Sequence, residues 1–384
     1  MNKENRQKLK NIKRFKWSNP NHLNALTSII AFLIAIIGFN LLSLLVSLCA
    51  KPLIKDGKGF YAVNLIAAVI GQVYLVTLAC IICKIKKVKI FGGGNLQLSF
   101  DFLSCIPALL LGLGTFLCVT PIHMQFATYI EQLQQELFNA STLIELPEPN
   151  GTIDIISMFI YVFIVIPFVP AICEELLFRG VIMNGLREFG TIFAVLLSGL
   201  LFALMHGSYR QLILQFVLGC EIALVVIITE NYFAGIIMHL FNNFFSIVYS
   251  VVIATVQSLS PAFLGFFQAF SIIIGLLLIL ASLIYYLLLI RHKKKDSGKS
   301  FLFYKKKTDI YPCCLLQKGA PVDYCFAVSK EKVLNTDNSN FLFFANGRFN
   351  AFTKRSNKVA FGILCAISLL LAIGLIILDF VLVG

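Results

Sequence analysis

Residues 170–179 read PAICEELLFR and place two adjacent carboxylates, Glu174 and Glu175, and the guanidinium of Arg179 inside an apolar segment. That segment runs from Ile153 to about Arg187 and has the composition of a membrane-spanning helix. A charged side chain at the centre of a bilayer costs roughly 2.5–3.5 kcal/mol on insertion scales, unless it pairs or faces water. The three charges therefore predict a functional site inside the membrane.

The rest of the chain is equally apolar. Of its 384 residues, 58% are hydrophobic and 13% are charged, which is too little polar surface to cover soluble domains. Hydrophobic runs recur at about the 20-residue length that crosses a hydrocarbon core as a helix. These runs are continuous rather than alternating, which excludes a transmembrane β-barrel. The sequence predicts an all-α fold, a polytopic bundle of about nine transmembrane helices within a range of eight to ten.

Apolar segments and basic flanks divide the chain into six parts. These are a basic cytoplasmic N-terminus at 1–25, N-terminal membrane spans and loops at 26–152, a helical core with the charged site at 153–254, a further span at 255–290, a basic cytoplasmic loop at 291–358 and a C-terminal span at 359–384. Within the second part, residues 120–150 contain four glutamates and no lysine or arginine. They predict a non-cytoplasmic loop with one amphipathic helix.

The net charge of +13 is carried by patches that flank the hydrophobic segments. Such patches indicate topology and attraction to anionic membrane lipid, because cytoplasmic loops carry an excess of lysine and arginine. Binding of nucleic acid is not predicted, since no basic motif with interleaved aromatic residues lies on a soluble module. The N-terminus and the loops at Lys84–Lys89 and Arg291–Lys358 are then cytoplasmic, and the C-terminus lies outside.

Helical spacing separates the charges near Glu174 into two roles. Glu175 and Arg179 are four residues apart and share a helix face, so they are predicted to form an ion pair. Glu174 points about 100° away from Glu175 and lacks that local partner. It is the candidate general base.

Two histidines extend the candidate site to other helices. Phe202-x-x-x-His206 ends the span Ile192–His206, and His239-x-x-x-Asn243 lies on the span Tyr232–Ala254. Counted by helix rise from the turn near Gly190, Glu174 and His206 lie at a similar depth, roughly 20 Å from that turn. The candidate catalytic residues are Glu174, Glu175, Arg179, His206, His239 and Asn243. Taken singly, each also fits a structural hydrogen bond between helices. Glu221 is a further buried carboxylate that either supports the site or faces lipid.

The order Glu174-Glu175-x-x-x-Arg179, Phe202-x-x-x-His206 and His239-x-x-x-Asn243 resembles the three motifs of the CPBP family. These are the CAAX-protease and bacteriocin-processing intramembrane proteases, also called the ABI family, and the resemblance covers about Phe168 to Ser246. It implies hydrolysis of peptide bonds in membrane-associated or lipidated peptide or protein substrates. CAAX-type processing and bacteriocin maturation or self-immunity are both known roles of the family. An integral protein of a bacterial plasma membrane is expected.

The resemblance also implies roles for the site residues. Glu174 would activate the water. His206, His239 and Asn243 would hold that water, the oxyanion or a metal, while Glu175 and Arg179 would shape the site. A zinc ion held by Glu174, His206 and His239 and a mechanism without metal both stay open, since two histidines, a carboxylate and water satisfy a catalytic zinc.

Two other classes of protein are alternatives to a protease. A transporter or proton-coupled carrier would use the same buried charges as an ion path, although no internal repeat supports it. A non-catalytic immunity or scaffold protein would keep the fold alone.

For an enzyme, water must reach the buried peptide bond. Pro167 and Pro170 predict a kink or break just before the carboxylates, where a hydrated cavity would form.

Overall fold

The computed structural model describes residues 23–50, 54, 59–86, 101–138, 148–189, 191–229, 231–297 and 355–382. Within these ranges every long element is a helix, which confirms the predicted all-α, polytopic bundle. The nine long helices in these ranges are α1 (Ala25–Ala50), α2 (Phe60–Lys86), α3 (Phe102–Phe138), α4 (Thr152–Leu186), α5 (Thr191–Met205), α6 (Leu212–Thr229), α7 (Tyr232–Leu259), α8 (Pro261–Ser297) and α9 (Arg355–Leu382).

Eight of these helices are long and apolar enough to cross a membrane, and α5 is the shorter one. With 15 residues, α5 reaches about 22 Å, less than the hydrocarbon thickness of about 30 Å. It ends where Gly207 adopts a φ of +63°, the left-handed conformation that stops a helix at little cost to glycine. That stop places His206 at the C-terminal end of α5.

Helix α4 is the central element of the bundle. Its C-terminal half has no exposed side-chain surface at Leu177, Phe178, Val181, Ile182 and Leu186, because α1, α2, α5 and α7 pack around it. The outer surfaces of the bundle carry large apolar side chains, such as Leu103 and Leu370, each 70% exposed. An apolar surface of this kind indicates contact with lipid.

Two parts of the predicted chain division fall largely outside the described residues. These are the basic N-terminus at 1–25, of which residues 23–25 are described, and the basic loop at 291–358, of which residues 298–354 are not. The side of the membrane on which each terminus lies therefore stays a prediction.

The helix predicted within residues 120–150 is present as the C-terminal part of α3, which continues to Phe138. Proline 121 lies inside the helix and has no N–H to donate to the carbonyl of Leu117, four residues earlier. Ser271 of α8 contacts that carbonyl instead, with its Oγ 3.4 Å away. Because α7 and α8 pack along α3, the helix persists through the proline.

Of the predicted kink or break at Pro167 and Pro170, the break is wrong, because α4 is helical throughout. A wide π-helical turn at Tyr161–Val165 comes just before Pro167, and a second lies at Phe178–Met183. A π-helical turn changes the hydrogen-bond pattern locally without ending a helix. The outer face of α4 at this point is apolar, with Phe168 46% and Ile172 45% exposed. Both observations argue against the predicted water-filled cavity at the prolines.

Close packing of α3 on α8 depends on two glycines that face each other. A Cβ atom on Gly275 would lie 2.6 Å from the carbonyl oxygen of Gly114, a contact that requires the helices to separate. We expect Gly275→Ala to lower the free energy of unfolding by about 1–3 kcal/mol, as overpacked cores do. Unfolding titrations in detergent measure the change. Gly265→Ala, on the same helix with no atom within 4 Å of its added Cβ, is the control. Equal stability of the two variants would contradict the expectation.

Candidate active site

The predicted ion pair of Glu175 and Arg179 is present in the middle of α4. Arg179 Nη1 donates to Glu175 Oε1 at 2.8 Å, and each side chain is 1% exposed. Arg179 Nη2 also donates to the carbonyl oxygen of Gly219 on α6, at 3.0 Å. A buried charge is tolerated only when it is paired and hydrogen-bonded, and both conditions hold for these two residues.

His239 of α7 joins this pair. Its Nδ1 lies 3.0 Å from Glu175 Oε1. Because a carboxylate oxygen only accepts, Nδ1 carries the hydrogen and donates it, which leaves Nε2 as the acceptor of the neutral ring. That Nε2 lies 4.0 Å from Oε2 of Glu174. This separation is too long for a direct hydrogen bond, but a water oxygen about 2.8 Å from each atom would bridge them.

Glu174 has a partner that the sequence did not reveal. Gln72 of α2 donates from Nε2 to Glu174 Oε1 at 2.9 Å. Glu174 is thus held by a side chain of the neighbouring helix, whereas Glu175 is paired within α4. The sequence did contain a signal for Gln72, because it is a polar residue in the middle of an apolar span. The carboxylates of α4 were identified by the same criterion.

The ring of Phe202 on α5 connects the charged pair to both histidines. Arg179 Cζ lies 4.8 Å from the centroid of the ring, in a cation–π contact. The centroids of the His206 and His239 rings lie 5.0 and 5.5 Å from that of Phe202. His206 Nδ1 lies 2.9 Å from the carbonyl oxygen of Phe202 and must donate to it. The structure therefore brings His206 to the same layer as His239.

Asn243 contacts α4 one helical turn along α7 from His239. Its Nδ2 lies 3.4 Å from the carbonyl oxygen of Ile166. That carbonyl has no intrahelical donor four residues later, because Pro170 has no N–H. Pro170, which was expected to kink or break the helix, thus leaves the Ile166 carbonyl free to accept from Asn243.

The segment after His206 is anchored to the ends of two long helices. Arg210 pairs with Glu131 of α3 at 3.1 Å. The hydroxyl of Tyr209 donates to Gln134 Oε1 at 2.7 Å, and Gln134 Nε2 donates to the carbonyl oxygen of Phe380 on α9 at 2.6 Å. These contacts limit the movement of the α5–α6 connection and so hold His206 in place.

Glu221 of α6 forms its hydrogen bond with α3. Its Oε1 accepts a hydrogen bond from Thr115 Oγ1 at 2.6 Å, which joins α6 to α3. This contact gives Glu221 a role in helix packing. It is the natural comparison for Glu174 in mutational tests, since both are carboxylates within membrane helices.

A metal site does not follow directly from the donor arrangement. In the part of the chain that the structure describes, no three His, Cys, Asp or Glu side chains are grouped so as to hold a metal ion. Nδ1 of His206 and Nδ1 of His239 are both engaged as donors, which leaves each Nε2 as the ring atom that could bind a metal, the usual arrangement of metal-ligating histidines. The predicted zinc bound by Glu174, His206 and His239 stays a prediction.

The fold and the buried polar layer together define an integral membrane protein with a carboxylate–histidine site inside its helical bundle. Comparison with known proteins narrows this class. Residues 156–245 match the family model described as type II CAAX prenyl endopeptidase Rce1-like. The predicted resemblance to CPBP-family proteases is thereby confirmed, and the matched range contains all six candidate catalytic residues.

One relative also matches this chain. It is a Bacillus subtilis (strain 168) protein named "Putative membrane peptidase YdiL", 29% identical over 100 residues. The alignment covers 26% of this chain and 41% of the relative, less than half of either protein. No solved structure matches the chain. Gln72 lies outside the family match, which begins at residue 156.

Proposed function

We propose that this protein is an intramembrane endopeptidase that hydrolyses peptide bonds of membrane-associated or lipidated peptides or proteins. The observation that carries the proposal is the facing pair of Glu174 Oε2 and His239 Nε2, 4.0 Å apart in a buried layer. The match of this segment to a family of CAAX-type endopeptidases supports it. Protein substrates and lipid would reach the site from the surrounding membrane of a bacterial cell.

Glu174 and His239 would activate water together. A water molecule between them donates one hydrogen to Glu174 Oε2 and the other to His239 Nε2, so its lone pair is free to attack the scissile carbonyl. Glu174 takes the proton as the new C–O bond forms. It then gives the proton to the leaving nitrogen as the C–N bond breaks. The products are a carboxylic acid and an amine, and Glu174 is again a carboxylate.

Asn243 is the candidate donor for the oxyanion formed during attack. Its Nδ2 carries two hydrogens, and the contact with the Ile166 carbonyl uses one of them at most. His206 in its neutral form has Nε2 as an acceptor, because Nδ1 donates to Phe202. It would therefore orient water or substrate when neutral, and it would stabilise an oxyanion only as an imidazolium. Fixed donors of this kind contribute more in a dry site than in water.

The Glu175–Arg179 pair would hold His239 in its working tautomer. Glu175 Oε1 accepts from both Arg179 Nη1 and His239 Nδ1, at 2.8 and 3.0 Å. The charge of Arg179 offsets that of Glu175, so His239 is oriented by a group with little net charge. Orientation of a catalytic histidine by a buried carboxylate is a general device of hydrolases.

Cleavage in proteoliposomes tests the proposal and the zinc alternative together. We expect the full-length protein to cleave a fluorogenic transmembrane peptide or a prenylated peptide with a CAAX-type C-terminus. A rate that a membrane-permeant zinc chelator leaves unchanged would support the mechanism without metal. A fall in rate that added zinc restores would instead support the zinc mechanism. Absence of cleavage for both peptides would contradict the protease assignment for these substrate classes.

The two peptides also separate the substrate classes. Preference for the prenylated peptide would favour CAAX-type processing, in which a lipid anchor delivers the C-terminus to the site. Preference for the unmodified transmembrane peptide would favour maturation of membrane peptides, including bacteriocins. Kinetic comparison as kcat/KM on the same protein preparation decides between them.

A further inference from the structure

Gln72 occupies a position at the site that neither the three motifs nor the family match includes. It lies in the middle of α2, and 6% of its surface is exposed. Helix α2 packs along α4, and this packing brings Gln72 to Glu174 across 102 residues of sequence. A buried amide in a membrane helix costs free energy unless its polar atoms find partners.

The nitrogen of the amide fixes one oxygen of Glu174. Because a carboxylate oxygen can only accept, the atom 2.9 Å from Glu174 Oε1 must be the Nε2 donor. This contact restrains rotation of the carboxylate. It leaves Glu174 Oε2 as the oxygen that faces His239 Nε2.

The oxygen of the same amide has no hydrogen-bond partner among the described residues, although it is buried. Orientation of the amide follows from the bond to Glu174, so this atom is an acceptor, Oε1. A buried acceptor of this kind needs a donor that the described part of the protein does not supply. The main-chain N–H of a bound peptide is such a donor, and every peptide substrate other than one with proline at that position carries it.

We propose that Gln72 is a substrate-positioning residue of this site. Its Nε2 directs Glu174 toward the attacking water, and its Oε1 accepts a hydrogen bond from a main-chain N–H beside the scissile bond. This inference rests on the proposed peptidase function. A primary amide suits the task because its two ends act at once, one as a donor and one as an acceptor. Recognition of main-chain atoms alone would leave the side-chain preference of the enzyme to other residues.

The test compares Gln72→Met with the parent in proteoliposomes. Methionine has a similar length but neither polar atom. Loss of the donor to Glu174 lowers kcat, and loss of the acceptor raises KM. We expect kcat/KM to fall roughly 10- to 100-fold, as removal of a hydrogen bond to a charged group does. Gln268→Met makes the same chemical change in membrane helix α8 and is expected to keep the parent kinetics.

Peptides with a single N-methyl group beside the scissile bond test the acceptor role directly. At one position, N-methylation removes the N–H that binds Oε1, and parent kcat/KM falls. The Gln72→Met variant has already lost that contact, so the same methyl group costs it less than it costs the parent. Equal losses in both proteins at every flanking position would overturn the acceptor role.

Three outcomes separate failure of this inference from failure of the proposed function. Cleavage that is absent in the parent, or independent of Glu174, overturns the function and this inference with it. Cleavage that depends on Glu174 but is unaffected by Gln72→Met overturns this inference alone. If Gln72→Met and Gln72→Leu both fail to accumulate while Gln268→Met does, Gln72 has a structural role and the inference is also overturned.

Discussion

Glu174→Gln is expected to abolish peptide cleavage while the protein stays folded. Glutamine has nearly the same shape, and its side-chain carbonyl still accepts the hydrogen bond from Gln72 Nε2. It cannot take a proton from water, so the general-base contribution, about 10²–10⁴-fold in rate, is lost. Measurement of kcat/KM in proteoliposomes, with circular dichroism of the same preparations, separates loss of chemistry from loss of fold.

Glu221→Gln is the matched control for that substitution. It makes the same change in another carboxylate within the membrane helices, and the new amide oxygen still accepts from Thr115. We expect its kcat/KM to stay within about twofold of the parent, since a conservative change away from the reacting atoms is usually small. Substantial cleavage by Glu174→Gln, or an equal loss in Glu221→Gln, would remove Glu174 from the role of base.

Arg179→Leu is expected to prevent accumulation of folded protein, or to lower its melting temperature sharply. The substitution leaves Glu175 charged and buried, with His239 of α7 as its remaining side-chain hydrogen-bond partner among the described residues. Breaking a buried ion pair from one side costs about 3–5 kcal/mol. Yield of monodisperse protein after detergent extraction and the temperature of thermal unfolding measure this loss.

The double variant Glu175→Leu/Arg179→Leu distinguishes the cost of one unpaired charge from the role of the pair. Replacing both partners with apolar residues removes both buried charges, and such replacements are often neutral for stability. We therefore expect the double variant to recover the fold. It should remain inactive, because His239 Nδ1 loses the carboxylate that orients it. Recovery of activity along with the fold would show that the pair has no part in catalysis.

Local helix geometry explains which parts of the site could be predicted. Glu175 and Arg179 meet because residues four apart share a helix face, and this relation needs no knowledge of the tertiary structure. The polar residues on α5 and α7 were expected in one layer from helix rise alone, and Phe202 indeed touches His206 and His239. Their roles in catalysis stay predictions.

Contacts between helices distant in sequence could not be predicted. Gln72 reaches Glu174 only because α2 packs on α4, and nothing in the sequence near either residue encodes that packing. The orientation of His239 toward Glu175 likewise depends on how α7 is rotated. Prolines were misleading for a different reason. A π-helical turn before Pro167 and packing around α3 keep both helices continuous where local preference alone predicts interruption.

The carbonyl freed by Pro170 has a consequence for the alignment of α7 on α4. The two contact points on α4, Ile166 and Glu174, are eight residues apart, and their partners on α7, Asn243 and His239, are four residues apart. His239 faces Glu174 while Asn243 meets the Ile166 carbonyl, so the two helices are matched at two points. A slip of one residue would turn a helix by about 100° and separate both contacts at once. The missing N–H of Pro170 thus helps to fix the register of α7 on α4, because it leaves the Ile166 carbonyl as the contact point for Asn243.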